Sequence, residues 1–200
     1  MGYISNAGAF LIQTLFGIYE VLILVRLLMQ FVRADFYNPI SQFIVKATNP
    51  PLKPLRRIIP GYAGIDFASV FVLLLLILVE TVLISSVTSL PMPNVTGLII
   101  LSLVGALRLI VYVFLFSIFI LAILSWVNPG AYNPVAQLLG QITSPLMQPV
   151  RKYLPPFSGL DLSPMAVIIA LYLVLLLIIA PLQDWARSVA YGMSPAVLGL

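Results

Sequence analysis

Residues 37–66 read YNPISQFIVKATNPPLKPLRRIIPGYAGID, and residues 132–161 read YNPVAQLLGQITSPLMQPVRKYLPPFSGLD. Set 95 positions apart, the two stretches align without a gap and agree at eleven of thirty positions. Tyr37, Asn38, Pro39, Gln42, Thr48, Pro50, Pro54, Arg56, Pro60, Gly64 and Asp66 recur as Tyr132, Asn133, Pro134, Gln137, Thr143, Pro145, Pro149, Arg151, Pro155, Gly159 and Asp161. Four prolines held at fixed spacing are not a chance event, so the chain reads as a duplication with units at 1–95 and 96–200. Asn38-Pro39 and Asn133-Pro134 each place a good N-cap before a residue suited to the first helical position. Ile40, Phe43, Ile44 and Ala47, and then Val135, Leu138, Leu139 and Ile142, recur at helical spacing and predict an apolar stripe. Ser41, Gln42 and Lys46, or Gln137 and Gln141, are expected opposite it, on a helix that lies in the membrane interface or folds back on the bundle. The later prolines, Pro50, Pro54 and Pro60 with Pro145, Pro149 and Pro155, are expected to stop that helix and give a kinked return. Asp66 and Asp161 then read as caps of the helices that follow.

The surroundings of these stretches are apolar. Of 200 residues, 62% are hydrophobic and 8% charged, where an average soluble domain has about 25% charged residues. Four long apolar segments, 9–32, 67–90, 97–127 and 165–182, are close to or above the roughly 20 residues that cross a bilayer as helix. The second and third are joined by Pro91-Met92-Pro93-Asn94, which forces an antiparallel hairpin. The connections 33–66 and 128–164 are long and carry Arg33, Lys46, Lys53, Arg56, Arg57, Arg151 and Lys152, against Arg187 alone on the other side. The prediction is an all-α membrane protein: four transmembrane helices from two parallel helix, amphipathic connection, helix repeats. By the positive-inside rule both long connections are cytoplasmic and both termini outside. Residues 1–13 hold no Lys or Arg, so no cleavable leader is expected.

The chain has no His and no Cys, which removes thiol and imidazole chemistry and the common zinc and copper ligand sets. No phosphate loop or nucleophile elbow is present, so neither an enzyme nor a cofactor or metal is expected. The net charge of +4 is dispersed among apolar runs, a pattern of topology signals and lipid headgroup contacts and not of nucleic-acid binding.

Charges within apolar segments are costly and so are functional candidates. Glu20 and Glu80 fall at similar depth and are placed to share a proton or a cation. Arg26 is expected to snorkel inward, and Arg108 to reach the outer interface or pair with Glu80 and lock the hairpin. None is duplicated: the matching positions hold Leu115, Leu121, Leu175 and Gln13. Ser85 with Ser89 and Ser102 with Ala106 are small pairs that permit close helix approach.

The twice-repeated order of Asn-Pro, about ten residues, Thr-x-Pro-x-x-x-Pro-x-Arg-Arg/Lys-x-x-Pro and Gly-x-Asp closely resembles the YggT family, also called YlmG-like, over essentially the whole chain. The second copy continues into Ser163-Pro164, where the first has Ala68-Ser69. The resemblance implies a small multi-pass protein of bacterial inner membranes or plastids, with roles around osmotic stress, potassium homeostasis, cell division or envelope organisation. It implies no catalytic residues. The first expectation is a non-enzymatic organising or adaptor protein, single or homo-oligomeric, that meets membrane lipid or protein partners at the cytoplasmic face through Arg56, Arg57, Arg151 and Lys152. The alternative is a small oligomeric channel or transporter, potassium or proton linked, using Glu20, Glu80 and Arg108.

Overall fold

The computed structural model describes residues 2–62, 64–88, 90–127, 133–154 and 161–192. Its elements are α1 (Gly2–Phe31), α2 (Pro39–Leu55), α3 (Phe67–Val87), α4 (Val95–Val127), α5 (Pro134–Tyr153), α6 (Ser163–Val174) and α7 (Ala180–Tyr191). A π-helical turn, Leu175–Ile179, runs without a break from α6 into α7. Four helices are long and apolar enough to cross a membrane: Gly2–Phe31, Phe67–Val87, Val95–Ser125 and Ser163–Tyr191. The protein is an all-helical membrane protein of four spans. Among the described residues there is no strand, only a tight turn in which Tyr62 and Ile65 exchange backbone hydrogen bonds of 3.1 and 3.0 Å. Gly64 turns that corner at φ +83°, a conformation that L side chains rarely adopt.

Two spans outrun their apolar segments. The first helix starts at Gly2 and not near residue 9, held there by Ser5, whose hydroxyl donates to the terminal carbonyl of α3 at Val87 (2.5 Å). The fourth continues past residue 182 to Tyr191. Pro181 cannot donate a helical hydrogen bond, and the π turn just before it accommodates that loss without ending the helix. Gly192 at φ +64° then closes the helix.

α1 packs most extensively on α3, and α4 lies at the centre of the bundle, touching α1, α3, α5, α6 and α7. The main core lies in the first half, where Ile23, Leu24 and Met29 of α1 meet Leu52 of α2 and Ala68 and Val72 of α3. A smaller cluster of Ile118, Met147 and Val167 holds the second half. The closest helix approach is at Gly97, where a Cβ would sit 2.1 Å from Cα of Ala190. The expected small pairs are not the ones that matter there. Ser85 and Ser102 are buried, but Gly97 permits the crossing, and Ser89 lies outside the described residues. Asn94 reinforces it, accepting from the Gly97 N–H (2.7 Å) while donating to the carbonyls of Val189 (2.6 Å) and Ala190 (3.1 Å).

Both amphipathic connections fold back on the bundle. Asn38 and Asn133 cap as expected, each accepting a 2.9 Å hydrogen bond from the N–H two residues on, with Pro39 and Pro134 opening the helices. Two expectations are corrected. The prolines do not stop the helices: Pro50 and Pro54 with Pro51 lie inside α2, Pro145 and Pro149 inside α5, and only Pro60 lies beyond α2. The buried stripe of α2 is Ser41, Ile44, Thr48 and Leu52, so Ser41 faces inward while Phe43 is 62% exposed. Ser41 is expected on the polar side, but it is buried beside Ile44 and Leu52 on the face that joins the apolar core, and its hydroxyl has no hydrogen-bond partner among the described residues. The equivalent stripe of α5 is Leu138, Ile142, Thr143 and Met147. Tyr132, Pro155 and Gly159 lie outside the described residues.

Replacing Gly97 with Ala should destabilise the detergent-solubilised protein by about 1–3 kcal/mol, since the methyl meets backbone and not a flexible side chain. Gly17→Ala, whose Cβ meets nothing within 4 Å, should stay within about 1 kcal/mol of the parent in the same thermal unfolding assay.

Candidate functional site: the connection end of the bundle

The hairpin of α3 and α4 brings both connections to one end of the molecule, and they are joined there. Asn38, while capping α2, donates through Nδ2 to the carbonyl of Pro134 (2.7 Å), and the Asp35 N–H donates to Oε1 of Gln141 (2.9 Å). The first residues of α2 and α5 therefore form one continuous surface. Arg33, Lys46, Lys53, Arg56, Arg57, Arg151 and Lys152 are all exposed on the segments that build it.

What holds α2 down was not foreseen. Arg26, expected to snorkel, is buried with 4% exposure, and its Nη1 donates to the carbonyl of Val45 (3.1 Å), Thr48 Oγ1 (2.7 Å) and Asn49 Oδ1 (2.9 Å). The three acceptors stand at i, i+3 and i+4 on one face of α2, so one guanidinium fastens α1 to α2. The signal was present in Thr48 and Asn49, two polar residues at the level of a charge, but only the packed geometry aims them at it. A second fastening follows from the prolines. Pro51 has no N–H to give the carbonyl of Ala47, and the Tyr19 hydroxyl donates to that carbonyl instead (3.3 Å). At the matching positions of the second half stand Leu146, which has an N–H, and Phe114, which has no hydroxyl.

The repeated Arg and Asp are partners. Arg56 donates through Nε (3.1 Å) and Nη2 to Oδ2 of Asp66, which also accepts from the Ser69 hydroxyl (2.5 Å). Asp66 stands at the N-cap of α3 without a side-chain cap hydrogen bond, which corrects the expected capping; its Oδ2 accepts from Arg56 and Ser69 instead. Asp161 does both, accepting from the Ser163 N–H (2.9 Å) and from Nε of Arg151 (2.9 Å). Burial raises the Asp66 carboxyl, but the hydrogen bonds from Arg56 and Ser69 outweigh it and hold the group below the usual carboxylate range. Burial likewise works against the charge on Asp161, and the bonds from Ser163 and Arg151 overcome it. Arg57 and Lys152, the second members of the basic pairs, are exposed and make no ion pair among the described residues.

Mid-span, the charges of Glu20, Glu80 and Arg108 are close enough to act on one another, with no hydrogen bond joining them among the described residues. Glu20 is buried, and its Oε1 has no partner. Glu80 is half-buried and Arg108 exposed, and no ion pair within 4.0 Å joins them, so the predicted Glu80–Arg108 lock is not formed. Among the described residues no three His, Cys, Asp or Glu side chains gather to hold a metal.

The CCB3/YggT family profile matches residues 5–87 and again residues 100–182. The chain belongs to the CCB3/YggT family. It is 49% identical over 180 residues to the Pseudomonas aeruginosa protein PA0392, covering 88% of this chain and 90% of that one. To YggT of Escherichia coli K12 it is 38% identical over 189 residues, 94% of this chain and 97% of the other. A Vibrio alginolyticus protein from the proC 3′ region is 41% identical over 169 residues, covering 83% and 90%. No solved structure matches the chain. Within this CCB3/YggT chain, the motif residues that resembled the family pattern have physical tasks: Asn-Pro starts a helix, Thr48 accepts from Arg26, Gly64 turns a corner, and Arg56 returns to Asp66.

Asp66→Asn should lower stability by about 1–3 kcal/mol, less than a fully buried pair because Arg56 is 37% exposed. Asp161→Asn, with both partners more exposed, should cost about 1 kcal/mol or less. Both carboxyls are depressed in the folded state, so their contribution is complete above the unfolded value of about 4 and is lost as pH falls through the folded value. Thermal melts of the two variants and the parent between neutral and acid pH check this.

Proposed function

We propose that this CCB3/YggT protein is a non-enzymatic organising or adaptor protein of the inner membrane, of the kind the family resemblance links to osmotic stress or cell division. Both connections are cytoplasmic and both termini outside. The observation that carries this reading is the joined α2–α5 surface, on which seven exposed cations face three carboxylates, Asp35, Asp66 and Asp161. Two of those carboxylates hold Arg56 and Arg151, which leaves Arg33, Lys46, Lys53, Arg57 and Lys152 to meet an acidic partner or an anionic leaflet. Each such cation contributes about 1 kcal/mol near a negative leaflet. The arrangement suits docking and not turnover: the surface is rigidly fastened and its charges point outward.

A second reading has its own observation. Glu20 and Glu80 side by side within the spans, with one unpartnered oxygen, offer a place for a proton or a monovalent cation and favour a small channel or transporter.

A photo-crosslinker placed at Lys53 should give adducts with a discrete protein, and the same group at exposed Met92 should not. Neutralising Lys46, Lys53, Arg57 and Lys152 to Gln, with the crosslinker moved to Gln42, should abolish those adducts at unchanged membrane insertion. Adducts that survive neutralisation contradict the adaptor reading. Proteoliposomes decide the alternative: potassium or proton flux that Glu20→Gln or Glu80→Gln abolishes makes the protein a transporter, and absence of flux beside a working control channel removes that reading.

A further inference from the structure

The two halves pack differently at one place, and the difference is in the side chains. In the first half Arg26 of α1 reaches across to Val45, Thr48 and Asn49 of α2 and closes the space between α1, α2 and α3. At the matching positions the second half has Leu121, Gly140, Thr143 and Ser144. The guanidinium is gone, Val is replaced by Gly and Asn by Ser. Thr48 and Thr143 both turn their hydroxyls back on the carbonyl four residues earlier, Ile44 (2.6 Å) and Leu139 (2.8 Å), but only Thr48 also accepts from a guanidinium, and a Cβ built at Gly140 meets nothing within 4 Å. Here an open groove of about 890 Å³ lies between α4, α5 and α6, whereas at the matching place in the first half Ile23, Leu24, Arg26, Thr48 and Leu52 are buried. That volume falls within the roughly 300–1,000 Å³ of sites that hold small molecules.

The groove has two chemically distinct parts. Its walls are apolar and belong to membrane-spanning helices, with Ile118, Phe119 and Ile123 on α4 and Met165, Ile168 and Ile169 on α6. Toward the start of α6 the lining includes a polar group, Ser144, Gln148, Arg151 and Asp161. Arg151 differs from Arg56 in how it is used. Arg56 gives both Nε and Nη2 to its aspartate, whereas Arg151 gives only Nε, and its side chain is 56% exposed. Among the described residues its Nη groups have no partner, and exposed Lys152 is next in the chain. An apolar slot within the span that ends at a guanidinium, with a further cation next in the chain, matches one ligand, a chain of hydrocarbon ending in a phosphate.

We propose that the groove between α4, α5 and α6 is a phospholipid site, with an acyl chain lying against Ile118, Phe119 and Ile168 and the phosphate held by Arg151. The first half carries the same Arg-Asp motif with the matching place buried, and so is a control within the same chain. The proposal needs only insertion in a bilayer and not the adaptor reading; its test reads lipid and not partner recovery, so either can fail alone.

The probe is phosphatidylglycerol with a photoreactive diazirine on one acyl chain, in nanodiscs holding the full-length protein. Adducts at 118–125 and 164–169 should exceed those at the matching 23–30 and 69–74 by roughly tenfold. Gly140→Leu, which places a side chain into open space, should cut groove adducts by a similar factor while the protein stays folded by size exclusion. The triple change L121R, G140V and S144N, which imports the first half's own filling, should do the same. Photoreactive diacylglycerol, which lacks the phosphate, should label the groove weakly. Equal labelling of both halves overturns the proposal, as does groove labelling that a folded Gly140→Leu leaves unchanged. Diacylglycerol labelling as strong as phosphatidylglycerol removes the phosphate contact and overturns it too, as does crosslinking of the groove to a second copy of the chain.

Discussion

A guanidinium buried between two helices of a membrane protein must find acceptors, because an uncompensated charge in a low-dielectric site costs several kcal/mol. Arg26 finds three, all on α2. That requirement fixes the rest of the connection end. It lays an amphipathic helix against α1 that could otherwise float in the interface, and it places Thr48 and Ser41 in the buried stripe where hydropathy alone would put Phe43. With α2 fastened, Asn38 is positioned to cap its own helix and to bond the first residue of α5, so the second connection is aligned by the first. The Arg56–Asp66 pair then ties the far end of α2 to the start of α3.

The two halves show how one plan supports different uses. They share the caps, the internal prolines and the Arg-Asp return, which set where helices start and how the chain comes back. They differ in the side chains that fill the space between those helices. Tyr19 with Pro51 has its counterpart in Phe114 with Leu146: where the proline frees a carbonyl a hydroxyl is present to meet it, and where no carbonyl is freed none is needed. Arg26 with Asn49 has its counterpart in Leu121 with Ser144, and here the exchange leaves an opening. Symmetry in the backbone plan and asymmetry in the filling are separate features of the sequence.

Much of the fold was legible because its signals are local. Segment length and apolarity mark four spans, Asn-Pro marks two helix starts, and Pro91 to Asn94 admits only a hairpin. The proximity of Glu20 and Glu80 followed from depth alone. Features that depend on a partner were not legible. Proline reads as a breaker unless the carbonyl it frees has a donor from elsewhere, as Ala47 has in Tyr19. Aspartate before a helix reads as a cap, and only the packed structure shows the arginine ten positions earlier that also bonds it, as Arg56 bonds Asp66 and Arg151 bonds Asp161. Arg26 reads as a snorkelling residue unless the next helix supplies acceptors. In each case the chemistry of the residue was correct and its partner was missing.

The central claim is that Arg26 holds α2 against the bundle and through it orders the surface the two connections share. Hydrogen exchange of the α2 amides in nanodiscs, compared between the parent and Arg26→Leu, tests it most directly. The account predicts that α2 loses most of its protection in the variant while α3, α4 and α7 keep theirs, with the start of α5 losing protection alongside α2. Unchanged protection of α2 in a folded Arg26→Leu protein would contradict it, because the helix would then be held by its apolar contacts alone.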